Sequence, residues 1–281
     1  MPNTSEVVIV TGCSKGGIGF SLCEEFASKG CKVYATARRV ETMEGFKHKS
    51  IECLRLDVTD DANVEEVVKI VMEKEGRIDI LVNNAGVPCH GPLAETPLDK
   101  VIGTFDANVF SILRTVKAAF PHMASRKSGT IVNIGSTVGE IATPWSGVYS
   151  ATKASVKSIS ESLYMECAPF NISVVHVSPG GVKSNISNNM MTRFSLPPDS
   201  FYSGWVDSMI RRINMSQGSS AMPSEEFARR VVKAAMSPSP PRYMTLGALS
   251  TVFTVLQWLP RSFVLWLLWR RVAGSPKVKT A

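Results

Sequence analysis

Short runs of aliphatic and β-branched residues alternate along this chain with longer stretches whose apolar residues recur every three or four positions. Continuous apolar runs predict strands at 7–10, 32–36, 52–56, 78–82, 130–134 and 172–177, with a weaker one at 242–245. Helical spacing predicts helices at 18–28, 62–74, 98–124, 148–166 and 224–236. Strands without polar alternation are buried on both faces, and strand–helix alternation makes them parallel. The expected fold is α/β: a doubly wound parallel sheet with helices on both faces, in one domain over 1–245. Ligands of such sheets bind beyond the carboxyl ends of the strands, and the polar motifs fall there.

Composition changes this picture in few places. At 44% hydrophobic and 20% charged, the 281 residues are those of a globular protein, which argues against disorder. Much of the net charge of +7 sits late, at Arg261, Arg270, Arg271, Lys277 and Lys279. A clustered basic tail suits an anionic membrane surface. No basic stripe interleaves with aromatics in the body, so no nucleic-acid partner is expected. The six cysteines show no C-x-x-C pairing, so no metal is expected, and they read as reduced core residues of a cytosol-facing protein. The first strand begins almost at once, leaving no room for a signal peptide, and the sequons at Asn3, Asn171, Asn185 and Asn214 are expected to be chance matches.

The segment Thr11-Gly12-Cys13-Ser14-Lys15-Gly16-Gly17-Ile18-Gly19 lies between the first strand and the first helix. Glycine permits a tight turn and a close pyrophosphate, and the helix N-terminus supplies N–H groups and partial positive charge. The second strand ends in Thr36-Ala37-Arg38-Arg39, with no acidic residue to hold a ribose 2′-hydroxyl. Guanidinium suits a 2′-phosphate, so NADP(H) is expected over NAD(H), with Lys15 near the same phosphate. The alternative is that these are solvated surface charges. Asp57, after the third strand, is placed to accept from an adenine amino group. After the fourth strand Asn83 suits turn stabilisation, Asn84 and Ala85 flank the cofactor, and Gly86 lets the backbone pass close to it. Pro179-Gly180-Gly181-Val182 would border the nicotinamide, with Val182 offering backbone groups and Ser184 reaching a phosphate or the amide.

Tyr149 and Lys153, four positions apart, share one helix face. A fixed ammonium beside a phenol favours phenolate and makes the phenol an acid usable near neutral pH. Ser136 ends the fifth strand, thirteen positions earlier. The three residues describe a site that moves a proton on an oxygen while a nicotinamide exchanges hydride with the adjoining carbon.

These motifs, with Asn108 and Pro179-Gly180, resemble the short-chain dehydrogenase/reductase family over about residues 5–245, with its Rossmann-type sheet. One departure is an extra residue between Gly12 and Gly17, which leaves the loop contacts of Lys15 and Gly16 open. The resemblance implies Tyr149 as general acid in reduction and general base in oxidation. It implies that Lys153 lowers the tyrosine pKa and bonds the nicotinamide ribose, and that Ser136 donates to the substrate oxygen. It implies that Asn108 interrupts its helix and holds a water linking Lys153 to solvent, and that dimers or tetramers form. Within the family, Gly16-Gly17, the segment 34–39 and an apolar C-terminal extension look like NADPH-dependent 1-acyldihydroxyacetone-phosphate reductases. The core is also similar to hydroxysteroid and retinol dehydrogenases.

From 183 to 222 the alternation stops. Met190, Met191, Phe194, Leu196, Phe201, Tyr202, Trp205, Met209 and Met215 suit a mobile lid over a lipophilic substrate, or ordinary helix packing. Lys183, Arg193, Arg211 and Arg212 are candidates for a substrate phosphate, against the reading of solvated charges. The tail 246–281 holds two apolar runs split by Pro260-Arg261. A span needs ~20 residues and tolerates a central Arg poorly. A hairpin or in-plane anchor is expected over a span, and folding over the active site is the third possibility. Such an anchor would place the enzyme on the cytosolic face of the endoplasmic reticulum or on lipid droplets. The expected function is NADPH-dependent reduction of a lipophilic carbonyl, an acylated dihydroxyacetone phosphate or a steroid, terpenoid or polyketide. A non-catalytic NADP-binding membrane scaffold is the alternative of another class.

Overall fold

The structure, a computed structural model, describes residues 5–185, 190–191 and 194–275. Seven parallel strands form the sheet: β1 (Val7–Thr11), β2 (Lys32–Ala37), β3 (Ile51–Arg55), β4 (Ile80–Asn83), β5 (Gly129–Ile134), β6 (Ile172–Pro179) and β7 (Tyr243–Leu246). Their order is β3-β2-β1-β4-β5-β6-β7, so the chain reverses direction across the sheet between β1 and β4. That reversal opens a crevice at the strand C-termini.

Alternate residues of each strand serve opposite faces. Val8 and Val10 of β1 pack with Phe26 of α1 (Ile18–Ser28) and Phe227 of the helix at Ser224–Ala235. Val7 and Ile9 pack on the other side with Val71 of α2 (Asp61–Glu75), Val116 and Met123 of the helix at Ser111–Arg126, and Val156 of the helix at Gly147–Cys167. Burying each such side chain contributes roughly 1.5–3 kcal/mol, which explains why the strands carry no polar alternation.

The expected helix at 98–124 is three elements: α3 (Leu98–Phe105), a π-turn (Asp106–Phe110) and α4 (Ser111–Arg126). The remaining helices are α5 (Gly147–Cys167), α6 (Val206–Asn214), α7 (Ser224–Ala235), α8 (Ser250–Leu256) and α9 (Arg261–Leu268). β4 begins two residues later than expected, because Asp79 turns its carboxylate onto the sheet end. It accepts from Val7 N at 2.9 Å and pairs with Arg77 and Arg126 at 2.7 and 2.6 Å.

Burial alone would raise the Asp79 pKa, but the Arg77 hydrogen bonds, the Val7 N–H and Arg126 outweigh it and hold it below the ordinary value. A carboxyl depressed on folding stabilises above its unfolded pKa of ~3.9, and that stability is lost as pH falls through the folded pKa. Asp79→Ala is expected to lower the free energy of unfolding by about 3 kcal/mol at pH 7. In urea melts at stepped pH, its curve should begin to approach that of the wild type only as pH falls below about 4, and meet it below the depressed folded-state pKa.

Candidate active site

The strand C-termini open on a cavity of about 630 Å³. Gly12, Ser14, Lys15, Gly17, Ile18, Arg38, Arg39, Asp57, Asn84, Ala85, Gly86, Ser136, Tyr149, Lys153, Val182 and Ser184 all line it, while Gly19 and Asn108 stand behind the wall. At Gly12 φ is +74°, and a Cβ there would meet Ala85 Cα at 2.8 Å. At Gly19 it would meet Gly12 O at 2.5 Å. These contacts let the loop fold flat against β4. Gly17 is the N-cap of α1 and has no side chain to occupy the first N–H groups, so they remain available to an anion.

The extra loop residue is accommodated by two latches that the sequence reading missed. Lys15 N donates to Thr42 O at 2.8 Å, and Asn185 Nδ2 donates to Lys15 O at 2.8 Å. Neither partner belongs to a glycine pattern, and only the fold brings them there. Arg38 and Arg39 stand exposed just past the end of β2. Asp57 accepts from Thr59 N at 3.0 Å and Thr59 Oγ1 at 2.7 Å through one oxygen. Burial raises its pKa, yet these bonds with Arg38 and Arg55 keep it below the usual value.

Of the two asparagines at the end of β4, Asn84 takes the turn-stabilising task expected of Asn83. Asn84, expected at the cofactor, lines the cavity but spends its amide on Thr11 O at 2.8 Å and Gly12 O at 3.0 Å, so its side chain holds the turn. Asn83 is buried and donates to Asn133 Oδ1 at 2.9 Å, while Asn133 donates to Ser160 Oγ at 3.0 Å. It ties the sheet to α5 and not to the turn.

Ser136 follows β5 and accepts from Val138 N at 3.4 Å, opening a short 3₁₀ turn. Tyr149 is the third residue of α5 and Lys153 lies one turn on. Lys153 is buried; its Nζ donates to Ile134 O at 2.7 Å and sits 5.6 Å from the Tyr149 ring centroid. Burial pulls Lys153 down to about 8. Burial also pushes the Tyr149 phenol up to about 12, against the opposing pull of Arg212 and of a hydrogen bond with Ser136. Desolvation is thus the largest influence on the phenol in this site, and Arg212 is a second cation, which the sequence reading did not assign to it, that favours the phenolate.

Asn108 interrupts its helix as the family resemblance implies. Its Oδ1 accepts from Val87 N at 2.7 Å, and its Nδ2 donates to Val87 O at 2.9 Å and Thr152 Oγ1 at 3.1 Å. Asn108 lies within the π-turn, where the wider helical turn re-aims its side chain out of the helix. The side chain thus positions the wall at Gly86 and Val87 against α5, and it makes no bond to Lys153.

On the substrate side His90 stacks on Tyr149, with ring centroids 6.3 Å apart and planes at 19°. Burial first, and Arg212 second, lower its pKa to about 3, so the ring is neutral. Of the four candidate phosphate ligands, Arg212 alone lines the cavity among the described residues. Lys183 and Arg211 are exposed away from it, and Arg193 lies outside the described residues. Of the expected lid residues, Met190 and Met215 line the cavity. Phe194, Leu196, Tyr202, Trp205 and Met209 instead pack around Trp145, whereas Met191 and Phe201 face outward.

The tail supplies the opposite rim. Phe253 of α8 with Val264 and Leu268 of α9 bury against Val138, Ile141 and Tyr149, and the Arg261 guanidinium donates to Glu140 O at 3.2 and 3.1 Å. Pro260 is the N-cap of α9 and kinks no longer helix. Among the described residues no helix is long and apolar enough to cross a membrane. Lys277 and Lys279 lie outside the described residues.

A family profile described as short chain dehydrogenase matches residues 6–193. An NADPH-dependent 1-acyldihydroxyacetone phosphate reductase of Schizosaccharomyces pombe is 38% identical over 69% of this chain and 67% of its own length. A short-chain dehydrogenase of Penicillium ochrochloron, ptmH, is 36% identical over 80% of this chain and 82% of its own. Among solved structures, a short-chain dehydrogenase from Streptomyces avermitilis superposes with a TM-score of 0.81 at 30% identity, covering 97% of this chain and 98% of its own. A serine dehydrogenase complexed with NADP+ superposes with a TM-score of 0.75 at 27% identity, over 87% and 95% of the two chains. The sheet order, the glycine turn and the Ser136–Tyr149–Lys153 cluster agree with these matches: the chain belongs to the short-chain dehydrogenases, oxidoreductases that act on CH–OH and C=O groups.

Proposed function

We propose that this enzyme reduces a ketone on a lipophilic molecule with NADPH, and that its substrate is an acylated dihydroxyacetone phosphate, converted to the corresponding glycerol phosphate. The observation that carries the reading is Tyr149, half-buried with Ser136 and the buried Lys153 in the lining of a dinucleotide-sized crevice. The Schizosaccharomyces relative supports the substrate class. NADPH fits the residues present: the uncapped start of α1 suits a pyrophosphate and Arg38 with Arg39 suits a 2′-phosphate. When bound it supplies hydride for the carbonyl carbon. Ser136 Oγ then donates a hydrogen bond to the carbonyl oxygen as negative charge grows on it. Tyr149 gives that oxygen its proton, and the ammonium of Lys153 stabilises the phenolate left behind. A reductase of a steroid, terpenoid or polyketide ketone is the second reading, favoured by the apolar lining of Met190, Ile213, Met215 and Phe253.

The outward face of the tail supports a membrane-surface location, on the cytosolic side of the endoplasmic reticulum or on lipid droplets. Trp258 is 86% exposed, and Val255, Phe263 and Trp266 are exposed with it, beside Arg270 and Arg271. An amphipathic hairpin of this kind lies in the interface. Exposed Ile102, Phe110 and Leu113, along α3 and α4, support a homodimer or homotetramer.

Tyr149→Phe is expected to lower kcat for ketone reduction by roughly 10²–10⁴-fold while NADPH binding, read by fluorescence, is retained; equal turnover by both proteins would return the chain to the scaffold class. Removing both guanidinium groups (Arg38→Leu with Arg39→Leu) should weaken NADPH by about 10–100-fold and leave NADH nearly unchanged in the same titration. A phenol raised by burial stays protonated through neutral pH, so reduction should be flat up to about pH 8 and decline as Lys153 loses its charge. A pH–kcat/KM profile checks it, and an acid limb near neutrality would contradict it. Trp258→Glu with Trp266→Glu should cut flotation with phosphatidylserine vesicles at least about tenfold, with NADPH binding kept.

A further inference from the structure

Arg212 is a buried guanidinium, 8% exposed, that makes no salt bridge with any described carboxylate. Removing such a charge from water costs several kcal/mol unless something pairs with it. The protein supplies little. Arg212 Nε donates to Thr143 Oγ1 at 2.9 Å, and that is its one hydrogen bond among the described residues. The N–H groups on its two Nη atoms find no acceptor among the described residues, yet neither Nη is among the sealed polar atoms without a partner. Because Arg212 lines the cavity, these N–H groups are open to it. Its neighbours there are Tyr149 and a neutral His90, whose Nδ1 is itself buried without a partner.

The site is built and held. Thr143 belongs to the loop before α5, where Trp145 adopts φ +65° and its carbonyl accepts from Gly91 N at 3.0 Å. A bulky residue in the left-handed region persists only where its surroundings over-determine it. Here Tyr202, Trp205 and Trp269 surround the indole. Arg212 itself lies in the last turn of α6, where Ile213 is buried and Met209 packs against Trp145.

We infer that Arg212, fixed by Thr143 and beside His90 and Tyr149, is the receptor for an oxyanion on the substrate, a phosphate or carboxylate within a few bonds of the carbonyl that is reduced. The planar guanidinium offers parallel N–H groups in the geometry that two oxygens of one such anion require. The same charge draws the Tyr149 phenol down from the value that burial imposes, but that action would be felt equally with every ketone. Recognition of an anion would be felt only with substrates that carry one. The inference rests on the reductase reading and deepens it: the enzyme selects keto compounds with an anionic group next to the reacting carbon.

The test compares kcat/KM at saturating NADPH for matched pairs. One pair is 1-palmitoyl-dihydroxyacetone phosphate and 1-palmitoyl-dihydroxyacetone; the other is a long-chain β-keto acid and its methyl ester. The wild type is expected to prefer at least one anionic member over its uncharged partner. Arg212→Gln should cut that preference by about 10–100-fold, mainly through KM, and Arg212→Lys should recover part of it. Preference within the first pair alone identifies phosphate, and preference within the second alone identifies carboxylate. No preference in the wild type, no turnover of either anionic member, or equal losses on both members in Arg212→Gln would each overturn the inference. NADPH fluorescence reports whether each variant is folded; if Arg212→Gln is not, the Lys variant and the wild-type preference decide. Tyr149→Phe is assayed alongside. Its failure on every ketone upholds the reductase reading whatever Arg212 does, and its full activity overturns that reading separately.

Discussion

Protein packed around Tyr149 shields much of it from water, and the loss of solvation costs the phenolate more than its neighbours return, so the hydroxyl is pushed up to about 12. The same exclusion draws Lys153 down to about 8. Both shifts have one cause, and they converge on a proton donor that stays loaded beside a cation that is only just retained. An acid of this kind suits delivery of a proton to an alkoxide, whose own affinity for the proton is higher still. The site is thus arranged for stabilising charge that appears during reaction, and a resting phenolate is not part of it.

That exclusion of water is assembled from distant parts of the chain. Ser136 comes from the end of β5, Tyr149 and Lys153 from α5, and the wall at Val87 is pinned by Asn108 from the π-turn. Lys153 is aimed by Ile134 O, a strand carbonyl at the sheet end. A shift in any of these elements would readmit solvent and move the acid. Rigidity in the sheet therefore bears directly on the chemistry, through the buried Asn83–Asn133–Ser160 chain that fastens β4, β5 and α5 together.

The sheet was legible because burial on both faces imposes continuous apolar strands, and Val7 to Val10 obey that rule in full. The glycine turn and the Tyr149–Lys153 pair were legible because backbone approach and helix spacing constrain them locally. The turn-stabilising role was assigned to Asn83 where Asn84 performs it, because adjacent residues on a strand end point to opposite sides and only the register fixes which meets the turn. His90, Thr143, Thr42 and Asn185 carry no local pattern; each owes its place to a contact far along the chain. The tail read as a membrane anchor because hydropathy counts apolar residues without knowing which face the rest of the protein covers. Phe253, Val264 and Leu268 are covered, whereas Trp258 and Trp266 are not.

The two rims of the cavity differ in a way that constrains any substrate. Arg212, Thr143 and His90 make one part of the lining polar, whereas Met190, Leu249 and Phe253 make another apolar, and both kinds reach the phenol. A wholly apolar ketone would leave a buried guanidinium unpaired, and a small polar one would leave the apolar rim wet. An amphiphile whose charged group adjoins its carbonyl satisfies both parts at once. Phe253, on the apolar side, belongs to the C-terminal hairpin that turns Trp258 and Trp266 outward, so the cavity lining and this exposed apolar surface are built from the same segment.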